Sequence, residues 1–154
     1  MWRDSRPEDD EAIVALCRSL YEEDPASKPV PESHHRRTLA VLRASPVRGR
    51  AVVLEEGGVI GYAILAACWS NELGGEVLII DELYVVPERR SRGHARALIE
   101  ALMRGEGPWP GRPVALELEV TPDNARARAL YERLGFRVKR NAVLRARLPS
   151  GGAV

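Results

Sequence analysis

The chain predicts a single-domain α/β fold, a mixed and mostly antiparallel sheet of six to seven strands with about four helices distributed over both faces. Three stretches carry that reading. Glu55-Glu56-Gly57-Gly58 separates two apolar runs, 50–54 and 59–69, and marks a hairpin of antiparallel neighbours. Residues 76–101 pass from a β-branched strand through a basic, glycine-containing turn into a helix. Residues 114–120 alternate cleanly, with Val114, Leu116, Leu118 and Val120 on one face. A chain of 154 residues can bury about two thirds of its unfolded surface around one core. With no repeat and no linker, the domain is read as 1–149, followed by a frayed tail over 150–154.

Each element follows from a local signal. Residues 2–6 supply a short first strand. Pro7 and the acids Glu8, Asp9, Asp10 and Glu11 open a helix whose buried face is Ile13, Leu16, Cys17 and Leu20, and which ends near 21–24. A loop over 25–31 carries three prolines, and Pro31 begins a second helix reaching about residue 44. His34-His35 in that helix has no nearby third ligand, so it reads as a solvated turn and not as a metal site. The run 59–69 is long and almost wholly apolar, which places it centrally. The organising strand continues through two acids to Val86 and stops at Pro87. In the helix beyond Gly93, the positions Ala97, Leu98, Ala101 and Leu102 make one stripe. A Gly/Pro-rich loop over 105–113 leads to the alternating strand. Thr121-Pro122-Asp123 then caps a helix over 124–134, Gly135 stands at its C′ position, and 136–138 with 143–148 form a closing hairpin.

Composition excludes several classes. A net charge of +1 argues against a nucleic-acid binder, and no apolar run approaches twenty residues. No signal-like start precedes Asp4, so the expected setting is cytoplasmic. Cys17 and Cys68 sit in apolar patterns without metal-ligand spacing and read as reduced core residues. Charge is unevenly spread. Residues 1–24 hold Asp4, Glu8, Asp9, Asp10, Glu11, Glu22, Glu23 and Asp24 against three arginines, and 71–82 hold Glu72, Glu76, Asp81 and Glu82 with no base. Residues 89–96 and 126–147 are basic. Such blocks either solvate a surface or give the molecule a cation-receiving and an anion-receiving side.

The basic turn carries a resemblance. Arg90-Ser91-Arg92-Gly93-His94-Ala95 fits the R/Q-x-x-G-x-G/A signature of the GNAT superfamily of acyl-CoA N-acyltransferases, and the preceding LYVVPE resembles the strand end that this family places before it. Roughly thirty residues on, Asn124, Tyr131 and Gly135-Phe136 look like the family's second cofactor region, N-x-x-A-x-x-x-Y-x-x-x-G-F, with Ala127 and Arg128 at the alanine region. The order of elements matches from end to end. Few lysines among 23 Lys and Arg hint at a GC-rich, bacterial genome.

The resemblance implies transfer of an acetyl group from acetyl-CoA, as co-substrate and with no metal, to an amine. Backbone N–H groups of Ser91, Arg92, Gly93, His94, Ala95 and Arg96 would cradle the pyrophosphate, with Arg90 and Arg92 adding charge. Leu83, Tyr84 and Val85 would pair by main chain with the pantetheine arm, while Asn124 and Arg128 complete that side. His94 itself is read as facing solvent.

Proton traffic picks out the catalytic residues. An aliphatic ammonium is about three pH units, or roughly 4 kcal/mol, from its reactive free amine at neutral pH. Asp81 and Glu82, consecutive acids in an apolar strand, should project to opposite faces, so one lies near buried surface where its pKa can rise; Glu82 is placed ahead of Asp81. The bland alternative is a strand emerging into solvent. Tyr131 is read as the acid for the departing thiolate, a transfer uphill by roughly 2 kcal/mol between free groups; without the resemblance it would read as a core aromatic. Glu22, Glu23 and Asp24, with Asp81 and Glu82, favour a small cationic acceptor such as a polyamine, diamine or basic amino acid. IDELYV is similar to the LEDxxV-type stretch of the diamine acetyltransferase branch. Competing readings are a protein N-terminal or lysine acetyltransferase and a non-catalytic acyl-CoA sensor. A homodimer is the candidate assembly, with no nucleic acid and no membrane as partner. A dinucleotide-binding Rossmann domain is disfavoured, since no G-x-G-x-x-G follows the strand.

Overall fold

Strands with long apolar runs are buried on both faces, and three of them make the middle of this protein. They are β2 (Gly49–Glu55), β3 (Val59–Ser70) and β4 (Gly75–Val85), flanked by β1 (Trp2–Asp4) and β5 (Ala115–Leu118). In the computed structural model, which describes residues 1–26 and 28–149, they form one five-stranded sheet in the order β1-β2-β3-β4-β5. Strands β1 to β4 are antiparallel neighbours, and β5 runs parallel to β4. The tail expected over 150–154 lies outside the described residues.

Alternate residues of each central strand feed two cores. Ala51, Val53, Tyr62 and Ile64 pack with Ile13, Val14, Leu16 and Cys17 of α1 (Asp10–Glu23) and Leu39 of α2 (Glu32–Ala44). Val52, Ala63, Leu65, Leu78 and Ile80 pack on the other face against Leu98, Ile99 and Leu102 of α3 (His94–Arg104) and against Trp109. The final helix, α4 (Ala125–Arg133), is entered through Asn124, whose side chain accepts from the Ala127 N–H at 3.2 Å. Gly135 follows it at φ 98°, in the left-handed region expected of a C′ glycine.

One irregularity decides the site. In the β3–β4 ladder Leu65 faces Ile80 and Ile64 faces Glu82, so Asp81 is an extra, bulged residue. Side-chain parity changes across it. Leu78 and Ile80 belong to the α3-side core, whereas Tyr84 belongs to the α1-side core, and Glu82, opposite Ile64, turns toward α1 with it. The parallel β4–β5 ladder also ends at Ile80 and Leu118, so the two strands part where the acids begin.

Several expectations need correction. The sheet has five strands and not six to seven, because 136–138 and 143–148 form no strand. Apart from Phe136, which packs at the α3-side core, their large apolar side chains Val138, Val143, Leu144 and Leu148 stand among Arg137, Lys139, Arg140, Arg145 and Arg147 and are exposed, and the four-residue β5 offers a short edge to extend. Cys68 is exposed and not core, since β3 outruns the layer that covers it, as the exposed neighbour Trp69 also shows. The cap of α4 is Asn124 in place of Thr121-Pro122-Asp123. No described helix is long and apolar enough to cross a membrane.

Candidate active site

The bulge brings Asp81 and Glu82 to the wall of one cavity of about 50 Å³, bordered also by Ile13, Cys17, His35 and Leu39. The sequence expectation that consecutive acids diverge fails here because a bulged residue breaks the strand's two-residue alternation. The Glu82 carboxylate is held on both oxygens. Tyr21 at the end of α1 donates to Oε1 at 2.6 Å, and Tyr62 of β3 donates to Oε2 at 2.7 Å. Desolvation and the Glu82 charge hold both phenols far above the ordinary phenol range, so they remain donors. Asp81 lies at the open fork. Desolvation raises its pKa first, the like charges of Glu82 and Glu119 raise it further, and Arg145 opposes them. The Cys17 thiol, beside Tyr62 and buried, is pushed up to about 11 and stays protonated.

A second cavity of about 250 Å³ lies between the two first helices, bordered by Val14, Arg18, Tyr21, Glu22, Val30 and Glu32. His35 borders both cavities and stacks obliquely on Tyr21, ring centroids 5.5 Å apart. The three acids read together from the sequence therefore separate. Glu22 faces the outer cavity, and Asp24 is the exposed C-cap of α1. Glu23 is engaged elsewhere: its Oε1 and Oε2 accept from Arg90 at 3.0 and 2.8 Å, and Tyr84 donates to Oε1 at 2.8 Å. Although partial burial pushes Glu23 up, those donors outweigh it and hold the carboxyl below the usual range.

Arg90 itself bridges elements. Besides Glu23, its Nε donates to the Val85 carbonyl at 2.7 Å and its guanidinium lies over the Tyr84 ring. It ties the end of α1 to the turn that follows β4, and it occupies one of the main-chain groups expected to face the pantetheine arm. The turn passes through a 3-10 segment, Pro87–Arg89, then Ser91 at φ 65° and Gly93 at φ 78°. A Cβ on Gly93 would meet nothing within 4 Å, so its dihedral and not crowding demands glycine. The first-turn N–H groups of α3, from His94 on, have no intrahelical acceptors. Ser91 accepts a hydrogen bond from Arg126, which brings α4 to the same turn. Uncrowded N–H groups, a left-handed entry and nearby arginines fit an anionic phosphate group. Arg96 pairs with Glu100 and Arg128 with Glu132, whereas His94, expected to face solvent, is half-buried, its Nε2 shut from water without a hydrogen-bond partner among the described residues and 3.7 Å from Glu56.

Tyr131 packs at the margin of the α3-side core against Phe136, ring centroids 5.8 Å apart. Burial raises its pKa, and no hydrogen-bond partner of its hydroxyl occurs among the described residues. Glu82 and Tyr131 thus lie on opposite faces of the sheet, on either side of the fork. Sequence reasoning missed Tyr21, Tyr62 and His35. The usable signal was Tyr62, a phenol inside an otherwise apolar central strand, which needs a buried acceptor.

The sheet is thus forked, with a left-handed, arginine-bearing turn at one strand's end and an acid-walled cavity beside it. Comparison supplies the family. The Acetyltransferase (GNAT) family model matches residues 14–136. The uncharacterized N-acetyltransferase YhfO of Bacillus subtilis (strain 168) is 30% identical over 100 residues, spanning 63% of this chain and 66% of that protein. A possible acetyltransferase from Clostridium difficile 630 superposes with TM-score 0.77 at 20% identity, over 97% of both chains. An aminoglycoside N-acetyltransferase, AAC(6')-Iy, in complex with CoA superposes with TM-score 0.69 at 19% identity, over 96% of this chain and 93% of that one. This chain belongs to the GNAT acetyltransferase family.

Proposed function

We propose that the protein transfers an acetyl group from acetyl-CoA to a primary amine of a small cationic acceptor, a diamine, a polyamine or a basic amino acid. The observation that carries the reading is the pair Asp81 and Glu82 on the wall of the inner cavity, with no cation among their described hydrogen-bond or ion-pair partners. A 50 Å³ space suits an aminomethyl head, and the 250 Å³ space beyond His35, with Glu22 on its border, suits the rest of a short chain. The likeness of IDELYV to the diamine branch points the same way.

The residues divide the work. Acetyl-CoA, when bound, supplies the activated thioester carbonyl. The N-terminus of α3 with Ser91, Arg92 and Gly93 holds the pyrophosphate, and the free edge of β4 at Leu83 and Tyr84 aligns the arm in the fork. Asn124 orders α4, and Arg128 stands on its exposed side. Glu82 takes the proton from the acceptor ammonium, leaving a neutral amine, while Asp81 adds negative potential that draws the cation in. Tyr131 keeps its proton until the thiolate departs and then donates it.

The test is thiol release from acetyl-CoA with spermidine, putrescine, lysine and lysine-bearing peptides, for wild type, Tyr131→Phe and Glu82→Gln. Turnover of small polycations ahead of peptides, with both variants at least about tenfold slower, is expected. Peptides acetylated much faster than every small amine would overturn the acceptor assignment.

A further inference from the structure

Most acids of this protein that have a close partner face a guanidinium: Asp9 with Arg3, Glu11 with Arg36, Glu23 with Arg90 and Asp10 with Arg43. Glu82 is different. Its two oxygens each receive one short bond from a neutral phenol, and no ion pair to it occurs among the described residues. We propose that Tyr21 and Tyr62 are positioning residues for the proton-accepting carboxylate, fixing Glu82 toward the inner cavity as an anion whose charge is left uncancelled. The proposal rests on Glu82 being the proton acceptor.

The choice of phenol follows from what the site must do. An arginine would hold the carboxylate as firmly, but its charge would cancel the field that attracts an ammonium. A phenol donates one hydrogen bond, favours the ionised carboxylate, and adds no net charge. Each carboxylate oxygen then keeps a free lone pair for the acceptor N–H on the cavity side. The two donors are anchored differently. Tyr62 is fully buried in β3, beside Cys17 and 6.4 Å from the Tyr84 ring, so it cannot swing away. Tyr21 is half-buried at the end of α1, where its ring leans on His35. In the proposed step, the N–H bond of the ammonium breaks, an O–H bond forms on Glu82, and both phenols keep their own protons.

The titratable groups around Glu82 are Cys17 and Tyr21 from α1, His35 from α2, Tyr62 from β3 and Asp81 from β4, with Glu119 and Arg145 beyond Asp81. His35 and Asp81 border the same cavity as Glu82, so the experiment removes them in turn. We would measure kcat/KM against pH, with acetyl-CoA and, in parallel, spermidine, putrescine and lysine, for wild type, Tyr21→Phe, Tyr62→Phe and the double variant. The same set would be repeated in His35→Gln and Asp81→Asn backgrounds. The expected result is that the acidic limb moves to higher pH by about 0.5–1 unit for each lost phenol, in every background, while acetyl-CoA affinity stays within about twofold. Activity lowered equally at all pH values, with the limb unmoved, would overturn the proposal. Should Tyr62→Phe fail to fold, the half-buried Tyr21→Phe decides alone. An inactive Glu82→Gln with unmoved phenol profiles sinks only this inference. A fully active Glu82→Gln sinks the proton-acceptor assignment, and turnover of no amine sinks the proposed function itself.

Discussion

Asp81 and Glu82 are chemically alike and adjacent, yet the fold treats them in opposite ways. Two phenols satisfy Glu82, whereas Asp81 is raised first by desolvation and then by the like charges of Glu82 and Glu119, with only Arg145 against them. The sign of its contribution follows. A carboxyl with a raised folded-state pKa binds protons more tightly when folded, so at neutral pH it destabilises the fold, and that cost fades as pH falls through its native value. Asp81→Asn should therefore raise the thermal midpoint at pH 7 while lowering acetyl transfer, and the gain should vanish near pH 4. Because the side chain is solvent-exposed, screening keeps the gain well under about 1 kcal/mol, or roughly 1–2 °C. Equal midpoints at pH 7 would show that Asp81 is not strained by its neighbours. At this scale the sequence was partly legible. The acids and Tyr131 stand out by being polar in apolar patterns, but Tyr21 and Tyr62 acquire meaning only through partners 61 and 20 residues away. The reverse held for Glu23, which looks like a third acceptor acid and is committed to Arg90 and Tyr84.

Among elements, the strand–turn–helix unit was readable because each part has its own local signal: β-branched strand, left-handed glycine, periodic helix. The bulge was not. Both halves of β4 are apolar on both faces, so a change of parity between them leaves no mark on the hydrophobic pattern. The closing hairpin fails for the opposite reason: alternation is visible, but strand formation needs burial that its arginine-rich surroundings and short neighbour do not supply. Two predictions belong here. Deleting Asp81 removes the extra residue and leaves Leu65–Ile80 and Ile64–Glu82 as successive pairs, so Glu82 stays on the α1 side while Leu78 and Ile80 keep their core. The deletion variant should fold with a urea midpoint close to that of Asp81→Asn, and a distinctly lower midpoint would refute the parity argument. Gly93→Ala places a Cβ in open space but at φ 78°, so strain alone should cost about 1–2 kcal/mol, and acetyl-CoA should bind several-fold more weakly by calorimetry.

Across the whole molecule, ion pairs hold the α1 layer to its surroundings. Arg3 ties Asp9 and Glu55, Arg36 ties Glu11 and Glu32, and Arg90 ties Glu23 to the turn after β4. The other face relies on Leu98, Ile99, Leu102 and Trp109 packed on the sheet, with one carboxylate, Glu76, accepting from the Trp109 indole at 2.8 Å. The layers should therefore respond differently to acid. Asp9, Glu11, Glu23, Glu32 and Glu55 all have pKa values below the ordinary carboxylate range. A depressed folded-state pKa contributes stability that is present above the unfolded value, about 4, and is lost as pH falls through the folded one. The exposed pairs contribute little. Asp9 is the exception, since it is buried and accepts from Arg3 at 2.7 and 3.0 Å and from the Arg6 N–H at 2.7 Å. Those Arg3 bonds, ahead of the backbone bond and against desolvation, hold it low. Asp9→Asn should cost about 2–3 kcal/mol at pH 7, because it leaves the Arg3 guanidinium with only Glu55 for a counter-charge. The difference from wild type in urea midpoint should hold down to about pH 5 and narrow steadily below pH 4, as the wild-type carboxyl takes up its proton. Hydrogen exchange in the same range should open amides of α1 before those of α3. Simultaneous opening of both helices would mean that the two layers unfold as one unit and that the ion pairs do not set the acid limit.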